Sequence, residues 1–336
     1  MTADMMRGAH ILVRTCAGVR AGEDVLVVCD PAMSDIGEVV ARAARDRGAE
    51  VVVVIMDPRG TDAGEPPRPV AEAMRAADVV FTPVSVSITH SDAVHRACAA
   101  GARVVAMTGF TRRMMRSGGI TADFRRLAPV VERVADLFTA GRSLRLTTPP
   151  GTDLTADISG RRGVAKTCIV GPGDFSPVPD VEAAVAPVEG SARGVIVADA
   201  SIPYLGIGLL SEPVVFRVED GMIISARGGE AAERLLAAWK SQNDPAVYNV
   251  AEVGVGLNPE SSLTGEMLED EGTWGTVHIG TGANVTLGGL TRAASHYDLL
   301  MFSAVLSIDD EDVLRGGQLV GLEREMREAG LRQPPG

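Results

Sequence analysis

Short apolar runs alternate with amphipathic stretches through the first 140 or so residues, and the pattern changes after that. Residues 24–29 (DVLVVC), 50–56 (EVVVVIM), 78–84 and 103–107 are β-branched runs of strand length and read as buried strands. Between them, 34–47, 69–76 and 91–100 repeat apolar side chains at the spacing of a helix with one buried face. Residues 3–19 show the same spacing through Met6, Ile11, Leu12, Val13 and Cys16. Residues 122–140 place Leu127, Val130, Val131, Val134 and Leu137 on one side. Ser34 and Ser91 stand where N-caps belong, and Gly48 where a helix stops. A Pro/Gly loop fills 57–68. Strands alternating with helices predict a doubly wound parallel sheet with right-handed crossovers. The expectation is a Rossmann-like α/β domain over residues 1–141, closed by the helix at 122–140.

From about residue 142 a period of two takes over, in 143–147 (SLRLT) and 153–158 (DLTADI). Asp220-Gly221 between 213–218 and 222–225 predicts a hairpin, because the pair supplies two left-handed positions. A second hairpin is expected around 309–312, joining 304–308 to 318–320. One helix is expected from about 229 to 242. Residues 142–336 therefore read as a mainly antiparallel β domain with a helix.

The parallel-sheet half carries no GxGxxG after its first strand and no GxxxxGK[ST]. Asp30-Pro31-Ala32 stands where a glycine would let the backbone approach a pyrophosphate, which argues against dinucleotide binding. Ser85–His90 (SVSITH) follows the third strand and reads as a polar loop leading into a helix capped by Ser91.

Composition removes further classes. Net charge is −12, and the arginines are scattered rather than clustered, so no nucleic-acid footprint is present. Cys16, Cys29, Cys98 and Cys168 are far apart, with no CxxC, which excludes a thiolate zinc site and predicts buried free thiols. No apolar run approaches the roughly 18 residues of a spanning helix, and the N-terminus lacks the apolar core of a secretory signal. A cytoplasmic protein without membrane contact is expected.

The chemistry concentrates between residues 244 and 302, which hold Glu252, Glu271, His278, His296 and Asp298 among glycine turns and apolar runs. His296 and Asp298 are two apart in a strand-like run and so share a face. His278 lies between β-branched neighbours. Glu252 lies inside an apolar run, where a lone carboxylate is costly unless paired, protonated or ligated. Taken singly, each has a structural reading: a hydrogen-bonded core histidine, or a glutamate paired with arginine. Their concentration points to a metal site of mixed nitrogen and oxygen donors, suited to Zn, Mn, Fe(II) or Co.

The stretches PPGTDL, VEAAVAPVEGSARG, VEDGMI, AEVGVGLNP, EDEGTWGTVHIGTG and SHYDLLM resemble the aminopeptidase T family of metallo-aminopeptidases. They also resemble the related 2,5-dihydroxypyridine 5,6-dioxygenases. The peptidase resemblance implies five metal ligands at Glu182, Glu252, His278, His296 and Asp298, with Glu182 entering only through it. It also implies a homodimer or larger homo-oligomer. The leading expectation is then hydrolysis of an amide or peptide bond in a small molecule or short peptide. Two divalent ions (Zn, Co or Mn) would activate a water, Glu252 or Asp298 would bridge them, and Glu271 would move the proton. Three carboxylates against two histidines favour two ions. The alternative is a ring-cleaving dioxygenase with one Fe(II). In those enzymes a ligand histidine falls at the position of Glu252, so this chain would draw on His278, His296 and Asp298. A catalytically silent binding protein is a third reading, opposed by the intact ligand set.

Overall fold

The computed structural model describes residues 2–60 and 64–334, so the centre of the 57–68 loop, residues 61–63, lies outside it. The chain divides into two compact units, residues 1–125 with 166–180, and residues 126–165 with 181–336.

The first unit is a five-stranded sheet, every strand parallel to its neighbours. Its order is Glu50–Ile55, Asp24–Cys29, Val79–Thr82, Arg103–Ala106 and Phe175–Pro177. Alternation along the strands sends side chains to two layers. Leu26, Val28, Val80 and Val104 pack with Val70, Ala71 and Met74 of helix Arg68–Ala76. Ala93, Val94 and Ala97 of helix Asp92–Ala99 join the same cluster. Burying each Val or Leu of this kind contributes roughly 1.5–3 kcal/mol. On the opposite face, Cys29 meets Gly37 of helix Ser34–Arg45, where an added Cβ would come 3.0 Å from Cys29 Sγ.

Asp30, at the end of the first strand, explains the absence of a phosphate turn. Its carboxylate accepts bonds from the amides of Ala32 (3.0 Å) and Met33 (3.2 Å). It also accepts from the amide and hydroxyl of Ser85, each at 2.6 Å. The amides a phosphate would need are already satisfied by a side chain. Ser91 caps the following helix through the Val94 amide, as its position predicts.

The second unit holds an eight-stranded antiparallel sheet. Its order is Met222–Arg227, Val214–Glu219, Arg193–Ala198, Asp153–Asp157, Ser143–Thr147, Val305–Ile308, Glu311–Arg315 and Gln318–Leu319. The Asp220-Gly221 hairpin forms as expected, with φ of 47° and 76°. The second hairpin differs from expectation. Asp309 and Asp310 make the turn, and Val305–Ile308 pairs with Glu311–Arg315 rather than with the later run. A separate sheet carries strands Glu182–Val185, Val250–Gly256, Val277–Gly282 and His296–Met301, antiparallel and in that order.

The expected single boundary at residues 141 and 142 is replaced by three crossings of the chain. Phe175–Pro177 returns to the first unit as its fifth strand, pairing Val104 with Phe175. A three-residue strand ending in proline leaves no apolar run to read, and an edge position is where proline is tolerated. Helix Phe124–Ala140 belongs from Arg126 onward to the second unit. There Gly163 lies so close that an added Cβ would stand 2.0 Å from the Ala135 carbonyl oxygen. Cys16, Cys29 and Cys168 are buried free thiols, and Cys98 is half-buried. No described helix is long and apolar enough to cross a membrane.

Candidate metal centre

Four neighbouring strands bring the site together by register alone. Gly254 pairs with Ala184 on one side and His278 on the other. Gly256 pairs with Glu182, Gly280 with both Glu252 and Asp298, and Gly282 with His296. Paired residues share a face, so every acid or imidazole of this face stands beside a residue with little or no side chain. The clearances show why. A Cβ on Gly254 would lie 1.9 Å from His278 Nε2. One on Gly280 would lie 2.6 Å from His296 Nε2 and 2.7 Å from Glu252 Cβ. The imidazoles therefore lie flat across the glycines of the neighbouring strand. The register shifts between Val250 and Glu252, so a bulge sets where Glu252 points.

The result is two groups that share one residue. Glu182, Glu252 and His278 offer donor atoms within 4.8 Å of one another, and so do Glu252, His296 and Asp298. Two ligands across an ion, each at about 2.1 Å, are about 4.2 Å apart, so either group spans one ion. His278 Nε2 is 3.0 Å from Glu182 and 3.7 Å from Glu252. His296 Nε2 is 3.1 Å from Glu252 and 3.4 Å from Asp298 Oδ1. The five residues selected from the sequence thus converge. The alternative triad of His278, His296 and Asp298 is not one of the two groups found among the described residues; Glu252 takes part in both instead.

Glu271 lies in neither group. It caps the short helix Met267–Asp270, and its Oε1 is 2.7 Å from the hydroxyl of Tyr204. The same hydroxyl is 2.9 Å from Asp298 Oδ2. A phenol has one proton, so the two carboxylates compete for a single donor. Burial and the Asp298 and Glu271 charges hold the Tyr204 phenol well above its usual pKa, so it stays protonated. Sequence reasoning missed Tyr204, which sits in a turn between the two-residue strands Ser201–Ile202 and Gly208–Leu209. Its one available signal was an aromatic residue in a chain with only three tyrosines. Asp270, next to Glu271, serves the loop instead, accepting from the amides of Thr264 (2.7 Å) and Gly265 (3.1 Å).

These residues fit a divalent ion on three observations. His296 Nδ1 donates to the Ala283 carbonyl at 2.6 Å, which fixes the ring and presents Nε2 to the acids. Asp298 Oδ1 is buried and accepts no hydrogen bond. Three buried carboxylates also outnumber the two imidazoles, so even doubly protonated histidines leave one negative charge. Burial lowers the pKa of His278, but the Glu182 charge outweighs it and holds the imidazole well above its usual value. His296 is likewise lowered by burial and raised, on balance, by Asp298 and Glu252. Ion binding must displace those protons.

The comparisons with known proteins decide between the two resemblances. The sequence pattern of the 2,5-dihydroxypyridine 5,6-dioxygenase family matches residues 9–321. A curated 2,5-dihydroxypyridine 5,6-dioxygenase of Pseudomonas putida KT2440 is 26% identical over 264 residues, 75% of this chain and 73% of its own length. A solved 2,5-dihydroxypyridine dioxygenase from the same organism superposes with a TM-score of 0.81 at 22% identity, covering 97% of this chain and 99% of that one. AmpT from Thermus thermophilus superposes with a TM-score of 0.69 at 16% identity, covering 95% and 99%. At that identity AmpT shows a shared fold, and one scaffold hosts different chemistries. The expected aminopeptidase-type hydrolase is therefore corrected: both the matched family and the curated relative are dioxygenases. From its ninth residue to its 321st, this chain belongs to the 2,5-dihydroxypyridine 5,6-dioxygenase family.

Proposed function

We propose that this chain is a metal-dependent dioxygenase that opens a small hydroxylated nitrogen heteroaromatic ring, inserting both atoms of O₂. The observation that carries the reading is the Glu252, His296 and Asp298 group, one imidazole and two carboxylates on one sheet face, in a chain of this family. When bound there, Fe(II) supplies the redox chemistry that lets O₂ react with the ring.

The chain's own residues then have separable tasks. Ala283 holds His296 so that Nε2 faces the ion. Glu252 and Asp298 bring two negative charges to the same place, which favours a hard divalent ion. Such a carboxylate-rich group also suits Mn(II), and metal analysis separates the two. Glu182, Glu252 and His278 take a second divalent ion, which offsets the buried charge of this half of the face. Glu271, outside both groups and bonded to Tyr204, accepts the proton that a ring hydroxyl gives up. A cytoplasmic homodimer or larger assembly completes the proposal, and light scattering tests the assembly.

The test is oxygen consumption. Protein purified without oxygen, stripped and reloaded with Fe(II) or Mn(II), is given 2,5-dihydroxypyridine and a panel of other hydroxylated pyridines and benzenes. Consumption of one O₂ per ring lost, with loss of the aromatic absorbance, is expected for at least one of the pyridines. A fully loaded enzyme that consumes no O₂ with any of them overturns the proposal.

A further inference from the structure

Asp298 is the ligand with two differently occupied oxygens, and that difference has an identifiable source. Oδ1 is 3.4 Å from His296 Nε2 and accepts no hydrogen bond, whereas Oδ2 is 2.9 Å from the Tyr204 hydroxyl. A carboxylate at the end of a short side chain rotates over a broad, two-fold torsion, so nothing intrinsic selects one oxygen for the ion. Tyr204 does so by engaging the other. Its hydroxyl is held in turn by Glu271, at 2.7 Å.

The turn that carries Tyr204 is built to keep the hydroxyl there. The Tyr204 amide donates to the Ile202 carbonyl at 2.8 Å, and its own carbonyl accepts from the Ile207 amide at 2.9 Å. Leu205 adopts a φ of 58°, left-handed backbone that a branched side chain rarely enters, and Gly206 follows at 68°. Such outliers collect where geometry serves a site. The Tyr204 ring lies against Tyr297, centroids 5.1 Å apart and tilted by 47°, on the strand between the two ligands His296 and Asp298. Ring and hydroxyl are thus fixed from two directions by the elements that carry the ligands.

Resting on the reading of Glu252, His296 and Asp298 as an ion-holding group, we propose that Tyr204 is the positioning residue of that group. It clamps Asp298 Oδ2 against Glu271 and so presents Oδ1 to the ion. Tyr204 acts through Asp298 rather than as a ligand, and Glu271 acts through Tyr204. The order of dependence is Glu271, then Tyr204, then Asp298, then the ion.

The experiment uses the full chain stripped of metal and titrated with Co(II) alone. It follows both affinity, by chelator competition, and the visible bands of the bound ion. The chains compared are wild type, Y204F, E271Q and the double variant. Partners of this outer kind typically carry about 10- to 100-fold of metal affinity. Y204F is expected to weaken one Co(II) ion by that factor and to shift its visible bands, with the melting temperature of the metal-free chain close to wild type. E271Q keeps an acceptor oxygen and is expected to weaken binding less. Adding it to Y204F is expected to change nothing further, because its effect passes through the lost hydroxyl. A Y204F chain within about twofold of wild type with unchanged bands overturns the proposal. So does a Y204F chain that melts well below wild type before metal is added, which marks a merely structural role. So does a double variant in which the two losses multiply in full. A wild-type chain that takes up no Co(II) defeats the ion reading itself, which distinguishes the two failures.

Discussion

Glu182, Glu252 and His278 are sealed, with the His278 side chain only 1% exposed, whereas His296 in the adjoining group keeps 25% of its side chain open to solvent. The support behind the two imidazoles differs as well. His296 Nδ1 is bonded to a backbone carbonyl, while His278 Nδ1 is buried without a hydrogen bond. The open group meets the Glu271–Tyr204 pair through Asp298. Closed sites hold ions for structure, and open sites leave a position for the reacting molecule. Glu252 is the hinge of the comparison, since it belongs to both groups. The sealed half is therefore assigned to neutralising charge and the open half to chemistry.

The strongest way to break that division is Glu252→Ala. It removes a ligand from both halves, and elemental analysis should find both ions lost, with turnover reduced at least about 100-fold, beyond the effect of removing an outer partner. Turnover near wild type would sever Glu252 from the chemistry. Next in size is the contrast between His296→Ala and His278→Ala. The first should abolish turnover in steady-state assays while the chain keeps its sealed-side ion. The second should lower thermal stability more than it lowers kcat. Equal losses in both assays for both variants would erase the distinction.

Gly254→Ala and Gly280→Ala probe the cradle without replacing a ligand. An added methyl would stand 1.9 Å from His278 Nε2 in one and 2.6 Å from His296 Nε2 in the other. Overpacking of this kind destabilises by about 1–3 kcal/mol. The two variants should lose the sealed-side and the open-side ion respectively, by equilibrium dialysis. A Gly280→Ala chain that binds and turns over normally would show that the glycine serves only packing.

The smallest effect concerns pH. Both imidazoles have raised pKa values in the metal-free fold, so the stability they add is fully present below about pH 6.5, the unfolded value. It is lost as pH rises through the folded values. With an ion in place the imidazoles are neutral ligands and that loss disappears. Melting curves should show the gap between loaded and metal-free protein widening as pH rises from about 6.5. A gap that narrows would mean the histidines are not displaced from their protons by the ion.

Much of this was legible in the sequence where a pattern was strong. The strand Asp24–Cys29 and its parallel neighbours announced themselves as β-branched runs, and His296 and Asp298 as two residues on one face. Glu182 was not readable from its surroundings, because it opens a four-residue strand (EAAV) that is buried throughout and shows no alternation. It came from family resemblance alone. The same resemblance also favoured the wrong reaction, since one scaffold hosts different chemistries. The cradle glycines were visible as Glu252-x-Gly254 and His278-x-Gly280, but their meaning depends on register, which long-range pairing sets. Tyr204 and the short strand Phe175–Pro177 were missed for a common reason: each gets its place from a tertiary contact, and neither has a local period.

The central claim, that Glu252 is shared between an open and a sealed ion, is tested most directly by anomalous diffraction at the metal edge on crystals of the loaded protein. Two peaks are expected on this sheet face. One should lie about 2.0–2.2 Å from donor atoms of Glu252, His296 and Asp298, and the other at similar distances from Glu182, Glu252 and His278. A single ion that leaves Glu252 unligated, or no ion near His296 and Asp298, would contradict the account.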